Sequence, residues 1–229
     1  MTSTVEAVDV VIPVKTLDQA KSRLRGAADG GVGGQAEHEA LVLALVRDTA
    51  LAAAATANVR RVLVVTSDRT VAALLAEDGV ESTDDPPAGS RHTGSHAAGL
   101  NAAVAHGAAV LLRRDRRARV AALQADLPAL RAEDLATALA EADGRRAFCA
   151  DRQGTGSTLL VAAPGGPLDP RFGVGSAAAH TSSGAVSIGA SLPSLRCDVD
   201  TAEDLSAACA LGLGRHTAAL VGATSCCRM

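Results

Sequence analysis

The chain predicts a single α/β domain of Rossmann-like architecture, with a mostly parallel central sheet and helices on both faces. Three observations predict it. The runs "VDVVIPV" (8–14) and "RRVLVVTSD" (60–68) are nearly continuous in β-branched residues, as strands buried on both faces are. Stretches of helical spacing alternate with such runs from one end to the other. Apolar residues make up 48% of the 229, enough for a substantial core, with no internal repeat and no linker rich enough to divide the chain. Only Phe148 and Phe172 are aromatic, so that core must be built from Val, Leu, Ile and Ala.

The elements follow in order. After the first strand comes "KTLDQAKSRL" and then a Gly-rich stretch, 26–34, read as a loop. Residues 37–55 hold no Gly or Pro and have helical spacing. The second strand is followed by a short helix, "RTVAALLAEDG", stopped at Gly79. Residues 81–95 are rich in Pro, Gly, Ser and Asp and read as a loop. "HAAGLNAAVAHGAAVLLRR" is a helix, and 119–130 is a strand ending in an acidic residue and a Leu-Pro turn. A further helix, "RAEDLATALAEA", leads to two strands, "AFCAD" and "STLLVAAP". "GSAAAHTSSG" is a short helix, and "LRCDVDTAEDLSAACALG" is a strand end followed by a helix. Residues 1–7 are expected to be a disordered N-terminus, 8–214 the domain, and 215–229 a C-terminal tail.

Composition narrows the partners. The net charge is −3, and the one locally basic run, "LLRRDRRARV" (111–120), carries no interleaved aromatic rings for base stacking, so nucleic acid is not expected. No apolar run reaches the roughly 18 residues of a membrane span. The five cysteines are odd in number and form no C-x-x-C pair. With no secretory leader, the expected compartment is the reducing cytoplasm.

In sheets of this kind ligands bind beyond the carboxyl ends of the strands. Of 22 basic residues only Lys15 and Lys21 are lysine, and both fall in the segment after the first strand. With Arg23 they place three cations within nine residues, a plausible cradle for a triphosphate. The standard dinucleotide-binding and P-loop patterns are absent there. Asp126 ends a buried strand, where it can cap the next helix or hold a divalent metal. Asp198 and Asp200 alternate on an extended segment, so one of them is expected to face the site. Two carboxylates from separate strand ends suit magnesium when a substrate phosphate completes its shell. Thr201 and Asp204 read instead as a capping box. Gly173, Gly175 and Ser176 open a short helix, and its N-terminus is a candidate anion site. Thr158 lies in "QGTGSTLL", which adds hydroxyls before a strand. His180 reads as a local helix-stabilising residue.

The ordered set "VIPVKTLDQAKSRL", "VVTSD", "GLNAA", "QADLPAL", "GTGSTLL", "FGVGSAAAH" and "DVDTAEDL" resembles the guanylyltransferases that act on 2-phospho-L-lactate or phosphoenolpyruvate in making the deazaflavin coenzyme factor 420. The resemblance spans about 8–213. It implies a nucleotide-diphospho-sugar transferase fold of the GT-A type, GTP and magnesium as ligands, and a homodimer. It also implies a reaction in which the phosphate of the acid attacks the α-phosphorus of GTP and expels pyrophosphate. Carried over by position, Lys15, Lys21 and Arg23 contact the GTP phosphates, with Lys15, Lys21 and Asp126 catalytic. Ser67, Gly99, Leu100 and Asn101 lie near the nucleoside. Asp126 and Asp198 hold magnesium, with Asp200 the other choice, and Thr158, Gly173 and Ser176 bind the three-carbon acid. Transferases of the same fold that load a molybdopterin or a sugar phosphate open with a Gly-rich loop, whereas Ile12–Leu24 has no glycine. A non-catalytic nucleotide-binding domain, the other alternative, has no need of paired strand-end carboxylates.

Overall fold

A computed structural model describes residues 7–17, 24, 34–86 and 96–222. A seven-stranded sheet, in the order β3-β2-β1-β4-β6-β5-β7, runs through the molecule. β1 (Val8–Pro13) lies between β2 (Val59–Val65) and β4 (Arg119–Leu123), parallel to both, with Val11 opposite Leu63 and Ala122. β3 (Glu81–Thr83) extends the parallel side. β6 (Ser157–Val161) is antiparallel to β4 and to β5 (Ala147–Ala150), and β7 (Val186–Ile188) closes the far edge parallel to β5.

Strand alternation sorts the side chains into two cores. Val10, Ile12, Val62, Val64, Ala121 and Leu123 face one side. There they meet α1 (Gln35–Ala54), α2 (Arg69–Glu77), α4 (Ala132–Glu141) and α6 (Pro193–Arg196). Val11, Leu63, Val65, Val120 and Ala122 face the other, against α3 (His96–Arg114) and α5 (Ser176–Ser182). Each fully buried Leu or Ile contributes roughly 2 kcal/mol. α3 lies close on the sheet because Gly107 has no side chain: a Cβ there would stand 2.6 Å from Val11 Cγ1.

Local signals set the helix ends. Asp68 caps α2, accepting hydrogen bonds from the Thr70 and Val71 N–H groups. α7 (Ala202–Leu211) opens with the expected capping box, Thr201 and Asp204 satisfying each other's backbone donors.

The structure departs from the sequence reading in several places. Glu81–Thr83, read as loop, and Val186–Ile188, left unassigned, are three-residue edge strands. The expected strand end at "LRC" is the end of α6, and 197–199 is an irregular connector. Residues Arg215–Val221, expected in the tail, form α8. Asp48 on α1, buried, accepts from the His216 and Thr217 N–H groups at 3.1 and 2.7 Å and so caps α8 from another part of the chain. Gly214 N–H donates to the Pro128 carbonyl at 2.7 Å, tying α8 to the turn that follows Asp126. The expected disordered N-terminus up to residue 6 and the Cys226–Cys227 end lie outside the described residues.

Candidate active site

The chain leaves β1 toward β2 and later returns from β3 to β4, on β1's other side, so the strand order reverses between β1 and β4. A crevice at the carboxyl ends of such a pair is where this fold binds ligands. Lys15 stands two residues beyond β1, at that point. It is half-buried. Desolvation lowers its pKa from the usual lysine value, and the Asp85 carboxylate opposes that shift. The backbone beside it is held firmly. Val14 N–H donates to Val65 O at 2.9 Å, and Leu17 N–H donates to Asp68 Oδ2 at 3.0 Å. Asp68 therefore caps α2 with one oxygen and anchors the post-β1 segment with the other. Lys21 and Arg23 lie outside the described residues.

β4 supplies the acidic half. Gln124 N–H donates to Thr158 O at 2.8 Å, continuing the β4–β6 pairing past the strand end. Leu127 N–H donates to the buried Thr49 hydroxyl of α1 at 2.9 Å and fixes the turn after Asp126. Asp126 O then accepts from Val199 N–H at 3.0 Å, which brings the Asp198 segment alongside Asp126. Residues 73 positions apart thus share one backbone joint. Asp198 is half-buried and Asp200 is exposed, and the Asp200 N–H belongs to the α7 cap through Asp204 Oδ2. Asp204 itself is held ionised: burial would raise its pKa, but the Thr201 and Arg152 hydrogen bonds outweigh burial. Of the two, Asp198 is the one adjoining the backbone joint with Asp126.

Among the described residues no three His, Cys, Asp or Glu side chains cluster as a complete metal cage. Two hard carboxylates fit magnesium, which takes one or two protein carboxylates and fills its remaining positions with water and substrate phosphate. A structural zinc site would demand four ligands, with Cys and His prominent.

The third wall is β6 and the turn 171–176. The β5–β6 register slips between Cys149 and Ala150, so that Leu159 pairs with Cys149 and Ser157 with Ala150. Thr158 is the extra residue of this bulge, a device that re-aims side chains near functional sites. It is buried beside Cys149, whose thiol is pushed by burial to a pKa of about 11 and is inert at neutral pH. Ser176 is also buried. Its hydroxyl donates to Ser157 Oγ at 3.2 Å and its N–H to Gly173 O at 3.0 Å. The Ala177 N–H goes to Thr155 O. The expected anion site at this helix start is thus altered: two of its first amides and the Ser176 hydroxyl already have partners within the protein.

The four residues expected near the nucleoside have different surroundings. Ser67 is exposed beyond β2, its hydroxyl donating to Asp85 Oδ2 at 2.8 Å. Gly99 is on the open side of α3, and Leu100, half-buried, packs on the α3-side core. Asn101 accepts from Phe172 N–H at 2.8 Å and donates to Phe172 O at 2.9 Å. Sequence reasoning missed Asp85 and the anchoring role of Asp68. An acidic residue directly after a β-strand, before a helix, was the available signal for Asp68.

Lys15 past the end of β1 and the joined Asp126 and Asp198 segments past the end of β4 lie at the strand-order reversal, which makes this an α/β protein of the class that binds ligands at that point. The family description MobA-like NTP transferase domain matches residues 44–179. A Salinispora arenicola protein named phosphoenolpyruvate guanylyltransferase is 49% identical, the match covering 93% of this chain and 92% of that one. One of the same name from Geodermatophilus obscurus is 47% identical over 95% of each. Among solved structures, a Desulfovibrio desulfuricans protein assigned as a nucleotide-diphospho-sugar transferase superposes with a TM-score of 0.61 at 16% identity, covering 95% of this chain and 98% of its own. A Methanothermobacter nucleotidyl transferase gives 0.55 at 15%, covering 90% and 97%. These two show the fold alone. The chain belongs to the phosphoenolpyruvate guanylyltransferase family of MobA-like NTP transferases, and it is a nucleotidyltransferase.

Proposed function

We propose that the chain transfers GMP from GTP to phosphoenolpyruvate, giving enolpyruvoyl-2-diphospho-5'-guanosine and pyrophosphate, as a step toward the deazaflavin coenzyme factor 420. The observation that carries this reading is the Asp126–Val199 backbone bond, which joins the Asp198 segment to the end of β4, the neighbour of the strand that leads to Lys15. The names of relatives at 47–49% identity support phosphoenolpyruvate as the acid.

In this reading an oxygen of the acid's phosphate forms a bond to the α-phosphorus of GTP. The bond from that phosphorus to the bridging oxygen breaks, and pyrophosphate leaves with the electron pair. The attacking phosphate is already anionic, so no general base is needed, and the site's task is placement and charge neutralisation. Lys15 holds the triphosphate at the end of β1, with Lys21 and Arg23 completing the cradle. Asp126 and Asp198 would hold magnesium, with Asp200 as the alternate ligand. Magnesium, when bound, would neutralise charge on the phosphates. Thr158 and the Gly173–Ser176 turn receive the acid. The cytoplasm is the proposed compartment and a homodimer the proposed assembly. No helix among the described residues is long and apolar enough to cross a membrane.

The test is pyrophosphate release with GTP and magnesium, given phosphoenolpyruvate or 2-phospho-L-lactate in parallel. Release with phosphoenolpyruvate is the expected result. Release with 2-phospho-L-lactate alone would reassign the acid, and folded protein that releases none with either would sink the proposal.

A further inference from the structure

The turn 171–176 bends through Gly173 (φ 133°) and Gly175 (φ 72°), conformations that favour glycine, and it has no strand neighbour to satisfy its backbone. Two side chains do so instead. On one side stands Asn101, in α3, bonded to both the N–H and the carbonyl of Phe172. Ala97 lies four residues before Asn101, on the same face of α3, and a Cβ at Gly173 would come 2.8 Å from its Cβ. The turn therefore rests directly on the first turns of α3.

On the other side stands His180, in α5, fully buried. Its Nε2 accepts from Arg171 N–H at 3.0 Å, so the proton of the neutral ring sits on Nδ1, which lies 3.0 Å from Ser157 Oγ and donates to it. Ser157 in turn accepts from Ser176 Oγ. The rings of Phe148 and Phe172, the only two aromatic residues in the sequence, pack on the imidazole with centroids 5.6 and 5.2 Å away. Burial first, then the nearby Arg146 and Arg171 charges, lower the His180 pKa to about 4, with Asp169 opposing, so the ring stays neutral and keeps this tautomer.

We infer that Asn101 and His180 are positioning residues: a two-sided clamp on the backbone of Arg171 and Phe172 that sets the Gly173–Ser176 turn in the shape that receives the phosphorylated three-carbon acid. The inference rests on the reaction proposed above. It assigns Asn101 to the acid side of the site, not to the nucleoside.

Steady-state kinetics with each substrate varied in turn tests it. Asn101→Ala should raise the KM for phosphoenolpyruvate about tenfold and change the KM for GTP by less than about twofold. Asn101 is only half-buried, so the variant should keep the fold, which circular dichroism verifies. His180→Gln keeps a donor and an acceptor and should lose less acid affinity than His180→Phe, which keeps neither. Active wild-type protein whose Asn101→Ala form shows no rise in the KM for the acid, or an equal rise for GTP, overturns the clamp alone. Wild-type protein that makes no product from either acid overturns the assigned reaction and this inference with it.

Discussion

The two ends of the parallel strands treat charge in opposite ways. At the amino end Asp9 is completely buried on β1, and Arg60 answers it with two hydrogen bonds of 2.8 and 2.7 Å while reaching Asp115 with its third donor. Nearby, buried Arg119 spends its guanidinium on the Ala162 and Arg145 carbonyls. Opposite charges interlock there in fixed, bidentate geometry, which is how a buried ion is tolerated. At the carboxyl end the charges follow separate strands, Lys15 after β1 and Asp126, joined by the Asp198 segment, after β4. What is made rigid there is the backbone under them: Leu17 by Asp68, Leu127 by Thr49, Val199 by Asp126, Phe172 by Asn101. One end uses charge for stability, and the other uses hydrogen-bonded backbone to hold charge ready for a ligand.

This contrast can be broken from either side. Asp126→Asn should reduce turnover by about a thousandfold or more, while its melting temperature stays within about 2 °C, because the Asp126 carbonyl still accepts from Val199. Initial-rate assays beside calorimetry check both halves. Arg60→Ala should do the reverse. It strands Asp9, completely buried on β1, with only the more distant Arg61 beside it, costs about 3–4 kcal/mol in denaturant unfolding, and leaves kcat per folded molecule unchanged. Lys15→Arg should lower kcat/KM by roughly tenfold to a hundredfold without loss of stability, since a planar fork replaces a compact point charge at a half-buried strand end.

The last effect is in pH. The folded His180 has a pKa of about 4 against 6.5 for an ordinary histidine, with Arg146, Asp169, Arg171 and Ser157 as the facing groups. Between those values the unfolded chain binds a proton that the folded one refuses. The histidine's contribution is therefore constant above about pH 6.5 and falls as the pH drops, by roughly 2–3 kcal/mol at pH 4. The difference between wild type and His180→Gln in unfolding free energy at several pH values isolates this slope. A flat difference would contradict the buried neutral ring.

The buried strands, the major helices and the capping box were legible in the sequence, because each is written in local periodicity or in a residue type at a fixed offset. Asp126 was legible as a residue just past a buried strand, but the joining of the Asp198 segment to it was not, because 197–199 is a connector tied to Asp126 by the Val199 N–H. The rest depended on distant partners. α8 reads as a tail because its cap, Asp48, lies 168 residues earlier than His216. Glu81–Thr83 is polar and mostly exposed, so nothing in it signals an edge strand. The role of Asn101 could not be read at all, since Phe172 is 71 residues away. The "GLN" motif shows that a residue occupies a position, not which ligand or backbone it faces.

The central claim is that the phosphate of the acid attacks the α-phosphorus of GTP and displaces pyrophosphate. Phosphoenolpyruvate carrying heavy oxygen in its phosphate, turned over with GTP and followed by mass spectrometry, tests this most directly. The account predicts that all the label appears in the enolpyruvoyl-2-diphospho-5'-guanosine and none in the pyrophosphate. Label in the pyrophosphate, or turnover of GTP that leaves the labelled acid unchanged, would contradict it.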